Sequence, residues 1–273
     1  MPTAPVALGY RHQRVQRLRR LFGRRSARDA ERAFVAEGAK VIGEALAAGA
    51  AIEAVYVDPA ATPAEIELTE RCLAAGARVW PLEAGVLARV GGTVSPQPLV
   101  AVVAAVDVPL QELLGRGPGL LVVCSDLRDP GNAGTVVRSA EAAGAGGVVF
   151  CDGCVDAFNP KTVRASAGAV LHVPVVNGVA TDEAMDAVGR AGLRRLGAVA
   201  RGGLDYVEAD LASPVALVVG NEAHGLAGPA AERLDGLVTI PMTGRAESLN
   251  VGMATAVLCF EAARQRRAVT ARC

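Results

Sequence analysis

Three polar, glycine-bearing segments in the second half of the chain, residues 129–140 (DPGNAGTVVRSA), 218–226 (VVGNEAHGL) and 240–250 (IPMTGRAESLN), each follow a short run rich in β-branched residues or leucine. Such a run reads as a buried strand, so each segment sits where a strand empties into a loop. In an open α/β sheet that rim is where ligands bind. Asn132, Arg138, Glu222, Ser248 and Asn250 are thereby expected on one rim, beside several glycines.

The remaining pattern supports an α/β class. Residues 11–22 place Val15, Leu18 and Leu21 at helical spacing, with arginines on the other faces. Strands are predicted at 33–35, 52–57, 78–80 and 99–106, with helices at 37–49, 63–75 and 83–90. Alternation of this kind implies a small α/β sandwich spanning residues 1–107. Residues 108–118 contain Gly and Pro and read as a linker. A second domain, 119–273, has predicted strands at 120–124, 147–151, 173–176, 196–200, 215–219 and 237–240. Its helices are predicted at 132–143, 160–166, 182–191 and 249–267. A chain of 273 residues is long enough for both cores.

Aromatic residues make up only 3% of the chain, which argues against a base-stacking platform of the single-strand-binder type. Formal net charge is zero, so no global field draws in nucleic acid. The charge is uneven, however: eight arginines fall between Arg11 and Arg28, and no acid precedes Asp29. Arg17, Arg19, Arg20, Arg24 and Arg25 in this arm are candidate phosphate contacts. Lys161 and Arg164 are further candidates, with a solvated helix face as the alternative. The longest apolar run, 98–106, is too short to cross a bilayer, and no signal peptide opens the chain, so a cytoplasmic protein without membrane contact is expected. An Arg-rich leader is also the composition of an organelle transit peptide, but Ser enrichment is lacking.

Each motif also has a plainer reading. Gly131 and Gly134 free the backbone at a helix start, a ready anion site, and Arg138 follows about two turns later, on nearly the face of Asn132 by this reading. A dinucleotide turn would need G-x-G-x-x-G, which is absent. Asn132 is alternatively a simple N-cap, and so is Ser248. Glu222 would need more ligands than His224 to hold a metal, so no metal site is expected. The histidines are only His12, His172 and His224, and there is no G-x-S-x-G elbow, which argues against a serine hydrolase. Cys151 and Cys154 form a C-x-x-C without a second pair, which reads as buried thiols rather than zinc or redox chemistry.

Together the three segments resemble the three motifs of the SpoU/TrmH family of RNA ribose 2′-O-methyltransferases, in order, spacing and residues. Residues 17–21, 34–38, 41–46 and 94–102 are similar to the opening and closing parts of the L30e/L7Ae-like substrate-binding domain that many members carry. The resemblance implies a C-terminal α/β domain tied as a trefoil knot, a homodimer formed through that domain with its last helix as candidate contact, and S-adenosylmethionine bound at Ala200, Gly220, Ile240, Met242 and Leu249. It implies methyl transfer to a ribose 2′-hydroxyl, of ribosomal RNA in preference to transfer RNA. Arg138 would act at the hydroxyl, and Asn132, Glu222, Ser248 and Asn250 would orient it and the ribose. Because Arg stays protonated in proteins, a clamp on phosphate and developing alkoxide charge fits better than a guanidinium base. The alternatives are an RNA-binding paralogue without catalysis, an enzyme of the same chemistry protecting against a ribosome-targeting antibiotic, and a nucleotide-dependent oxidoreductase.

Overall fold

A computed structural model describes residues 6–91 and 96–270. It separates into two compact units, Met1–Val106 with Phe158–Leu171, and Asp107–Ala157 with His172–Cys273.

In the first unit, α1 (Gln13–Gly23) and α2 (Arg25–Glu31) lead into β1 (Ala33–Glu37), α3 (Ala39–Ala47), β2 (Ile52–Val57), α4 (Pro63–Ala74), β3 (Arg78–Pro81), α5 (Val86–Gly91) and β4 (Leu99–Ala104). The stripe Val15, Leu18 and Leu21 is fully buried, as its spacing requires. α4 starts at a capping box in which Thr62 and Glu65 satisfy each other's backbone, with Pro63 in the first turn. The sheet order is β1-β4-β2-β3, with only β2 and β3 parallel. Of the stretch expected to close this domain, Val94 and Ser95 lie outside the described residues, and Leu99 onward is β4.

The second unit contains α6 (Leu110–Gly115), β5 (Leu120–Cys124), α7 (Pro130–Ala142) and β6 (Gly147–Cys151). After α8 (Pro160–Ala165), which belongs to the first unit, it continues with β7 (Val175–Val179), α9 (Thr181–Arg190), β8 (Arg194–Val199), β9 (Leu204–Asp205), β10 (Val215–Val219), α10 (Gly228–Glu232), β11 (Gly236–Thr239) and α11 (Val251–Thr270). Its seven strands run β7-β6-β5-β10-β8-β11-β9, and every pairing among them is parallel. β5, β6 and β10 are buried along their whole length, which is why they read as unbroken apolar runs. Among the described residues, no helix is long and apolar enough to cross a membrane.

Two expectations about the domain plan change. The stretch 108–118 is not a bare linker: it carries α6, and Leu110 and Leu113 enter the core of the second unit. Glycine and proline mark only the ends of this short helix. Residues 158–171 lie within the expected second domain but pack in the first unit. There Phe158 stacks on Phe34 with ring centroids 4.9 Å apart. Arg164 donates to Glu37 at 3.2 Å, onto a carboxylate only 5% exposed.

Candidate active site

Chain order jumps where β5 lies beside β10, the switch point at which an α/β sheet leaves a crevice. Val219 is in register with Cys124, so the loops that follow them leave side by side. The amide of Ser125 donates to the carbonyl of Val219 at 2.9 Å and keeps the first steps of the two loops together.

Asp129 caps α7, its Oδ1 accepting the amide of Asn132 at 2.7 Å. Asn132 is therefore not the N-cap, and its side chain is available to the crevice. Its Nδ2 donates to Glu222 Oε1 at 3.0 Å, and its Oδ1 accepts from Asn250 Nδ2 at 2.7 Å. Glu222 Oε1 also takes the amide of Asp129 at 3.3 Å. Asn250 Oδ1 in turn accepts the amides of Gly252 and Met253 at 2.9 and 3.4 Å, so Asn250, not Ser248, caps α11. One line of hydrogen bonds thus joins all three motifs.

The loop holding Glu222 is closed by two backbone bonds of 2.9 Å between Asn221 and Gly225. A side chain at Gly220 would fall on the carbonyl of Gly225, so closure of this loop requires glycine here. Asn221 Nδ2 reaches both the carbonyl and the Oδ2 of Asp126, at 3.1 and 3.0 Å. Asp126 has φ +57, an uncommon state for a residue with a side chain, and it accepts Arg128 Nε on Oδ1 at 2.8 Å. Asp126, Asp129 and Asn221 hold the site together, and motif reading passes over them because they act on loop backbone.

Beside this polar line lies a cavity of about 470 Å³. Ala200, Gly220, Ile240, Met242 and Leu249 all face it, together with Ala198, Val238 and Leu258 as apolar wall. Asn132, Asn221, Glu222, Ser248 and Asn250 form its polar edge. Arg138 does not line it. Six residues along a helix turn the chain by about 600°, which leaves Arg138 about 120° away from Asn132 rather than on nearly the same face. It is exposed on α7.

The C-x-x-C thiols are interior groups. Cys154 Sγ accepts the amide of Leu127 at 3.3 Å and donates to the carbonyl of Cys124 at 3.1 Å, tying the β5 loop to the end of β6. Burial pushes the Cys151 thiol up to about 12 and that of Cys154 to about 11. Neither is a thiolate near neutrality, as a ligand or redox nucleophile would have to be. Among the described residues, no group of three His, Cys, Asp or Glu is placed to hold a metal ion.

The basic arm is less free than its charge suggests. Arg17 pairs with Glu31 and Glu53, Arg20 with Glu31 and Arg25 with Asp29. Arg14 lies 4.0 Å over the ring of Trp80, and Arg28 is buried, donating to the carbonyl of Leu21 at 2.7 Å. Arg19 and Arg24 are exposed, as is Lys161. Arg164 is held by Glu37.

Residues 119–260 match the model of the SpoU rRNA Methylase family, and residues 12–101 match that of an MRM3-like substrate binding domain. The chain is 33% identical to the 23S rRNA (guanosine(2553)-2′-O)-methyltransferase RlmP of Bacillus subtilis, over 83% of this chain and 87% of that protein. It is 36% identical to the 23S rRNA (guanosine-2′-O-)-methyltransferase RlmB of Ralstonia nicotianae, over 73% and 82%. Among solved structures, an AdoMet-bound rRNA methyltransferase from Sinorhizobium meliloti superposes with a TM-score of 0.83 at 31% identity, covering 96% of this chain and 97% of that one.

Proposed function

The chain belongs to the SpoU rRNA methylase family, and from that premise we propose that it methylates a ribose 2′-hydroxyl of 23S ribosomal RNA, in the cytoplasm and as a homodimer. The observation that carries this reading is the cavity at the β5–β10 switch point with the line Glu222–Asn132–Asn250 along its edge.

The residues present fit S-adenosylmethionine. Apolar side chains at Ala198, Ala200, Ile240, Met242 and Leu249 offer a wall for an adenine, with the polar groups at the edge. When bound, the cofactor supplies a methyl group already activated by a sulfonium centre, so this chain has only to deliver and orient the oxygen. Asn132 is oriented by an acceptor on one side and a donor on the other, and Glu222 has a second carboxylate oxygen for a ribose hydroxyl. Ser248, exposed at the edge, adds a rotating donor and acceptor. Holding the 2′-oxygen in line supplies much of the acceleration.

Arg138 is the clamp on phosphate and on charge developing at the oxygen. It does not line the cavity of its own subunit, so we assign it to the cavity of a second copy. α11 packs on α7 closely enough that a side chain at Gly252 would press on Thr135. α11 leaves Met253 and Phe260 exposed at 60% and 48%, seven residues apart on one face. An apolar stripe of this kind suits a partner, and it is the face we propose for the dimer. The placement of β8 between β10 and β11, with α11 returning to pack on α7, supports the trefoil knot as the path of the C-terminal segment. In the first unit, Arg19 and Arg24 are the arginines best placed to meet RNA phosphate. The intact hydrogen-bonded line argues against a paralogue without catalysis.

The deciding experiment incubates the purified protein with 23S ribosomal RNA and methyl-labelled S-adenosylmethionine, then maps alkali-resistant positions. A single 2′-O-methylated nucleotide is the expected outcome. Label on a base, or no cofactor binding by calorimetry, would overturn the reading.

A further inference from the structure

A second cavity, of about 530 Å³, adjoins the first and shares Ala200 and Met242 with it. Its floor is small or unbranched, with Gly202 and Gly244, and its lip carries Arg201, Arg245 and Glu247. A side chain added at Gly202 or Gly244 would meet nothing within 4 Å, so the floor is open. Both arginines are exposed, and neither makes a hydrogen bond or ion pair with the described residues.

Arg201 is placed by the sheet. It lies between β8 and β9, and both of these strands pair with β11. A side chain at Gly203 would strike the backbone of Val238, and the amide of Tyr206 donates to Thr239 at 3.0 Å, so the turn is pressed flat on the sheet edge. Thr239 Oγ1 donates to the carbonyl of Ala200 at 3.1 Å and fixes the residue before Arg201. Arg245 comes from the third motif, between Met242 and Ser248. Two permanent cations thus line an open cavity next to the site of methyl transfer. Their planar donor forks match phosphate oxygens, and only Glu247 offsets them.

We propose that this cavity seats the nucleotide adjacent to the methylated ribose, with Arg201 and Arg245 on its phosphate. This rests on the RNA-methyltransferase reading. An isolated carboxylate, such as that of the cofactor's methionine, would leave most of the space unfilled, whereas a nucleotide fills a site of this size.

The test uses the full chain with Arg201→Gln and Arg245→Gln combined, and separately Glu247→Gln. RNA affinity is measured against salt, cofactor affinity by calorimetry, and fold by the melting temperature. Expected for the double variant are an unchanged cofactor Kd, an RNA KM raised about tenfold, and a salt slope reduced by about 0.7 for each phosphate no longer neutralised. Glu247→Gln should tighten RNA binding. An unchanged salt slope overturns the proposal, and so does a fall in cofactor affinity at unaltered melting temperature, which would assign the arginines to the cofactor's carboxylate. Because salt slopes need only binding, they decide the subsite even where methyl transfer fails and the catalytic reading falls with it.

Discussion

The carboxamide of Asn250 donates to that of Asn132 at 2.7 Å, although the two residues stand 118 positions apart. Asn250 Oδ1 is already committed to the amides at the start of α11, so its Nδ2 must face Asn132. That fixes Asn132 in turn: Oδ1 towards Asn250, Nδ2 towards Glu222. The polarity of the whole line is therefore set by a helix N-terminus.

This directionality makes Asn132→Asp more damaging than its size suggests. An aspartate is acceptor-only when ionised and would face the Glu222 carboxylate. Methyl transfer should fall by about tenfold or more, with cofactor affinity nearly unchanged, because Asn132 touches only the edge of the cavity. Single-turnover transfer beside calorimetry checks this. Wild-type activity in the variant would remove Asn132 from the machinery.

The assignment of Arg138 to the neighbouring subunit predicts complementation. Arg138→Ala and Glu222→Gln proteins should each be inactive alone. Mixed and allowed to exchange subunits, they should regain activity, since each mixed dimer has one site with both groups intact. If mixing restores nothing while exchange is demonstrated, Arg138 works on its own subunit or not at all.

Much of this arrangement is legible in the amino-acid sequence. The apolar runs of β5, β6 and β10 match the strands to the residue, because strands buried on both faces have no polar alternation to blur their ends. All five residues expected to hold the cofactor face one cavity: Ala200, Gly220, Ile240 and Met242 follow the ends of strands in a single parallel sheet, and Leu249 stands just before α11. Less legible are features that depend on tertiary placement. The two-residue β9 has too few residues for a pattern. Which residue caps a helix turns on two or three positions of register, and Asp126 binds a loop that is adjacent only in the folded sheet. The partners of Arg17, Glu31 and Glu53, cannot be read from a helix whose own sequence carries no acid.

Truncation at the expected boundary should now misbehave. A fragment of residues 108–273 retains Phe158 and Val163 but loses β1, against which their segment packs. It should bind a hydrophobic dye, and replacing residues 158–171 with a short Gly/Ser loop should abolish that binding. A fragment that is dye-silent as cut would show that the segment folds back on the second unit.

The buried thiols give stability a pH limit. Cys154 is raised from its ordinary value of 9.0 to about 11, and Cys151 to about 12, both by burial. A folded-state value above the unfolded one contributes stability that is whole below pH 9.0 and is lost as pH climbs towards 11–12. Denaturant midpoints should accordingly fall between pH 9 and 11, and less so in Cys154→Ala once its own loss of packing is subtracted. Native protein at about pH 8 should resist thiol alkylation at both positions. Rapid labelling there would contradict the burial.

The basic arm yields the last test, and the structure narrows it. Changing Arg17 should cost little stability: its guanidinium joins Glu31 and Glu53, but both carboxylates reach solvent and Glu31 also pairs with Arg20. The exposed pair of ions is worth only about 0–1 kcal/mol, so the melting temperature should shift by a few degrees at most. Arg19 and Arg24 have no such partner among the described residues. If the first unit meets RNA through this helix, Arg19→Gln with Arg24→Gln should lower the salt slope by about 0.7–0.9 for each phosphate that the variant no longer neutralises, without moving the melting temperature. Arg17→Gln should do the reverse. A salt slope that changes only with Arg17 would mean that its acidic partners release it to the RNA, and that the arginines left exposed are merely solvated.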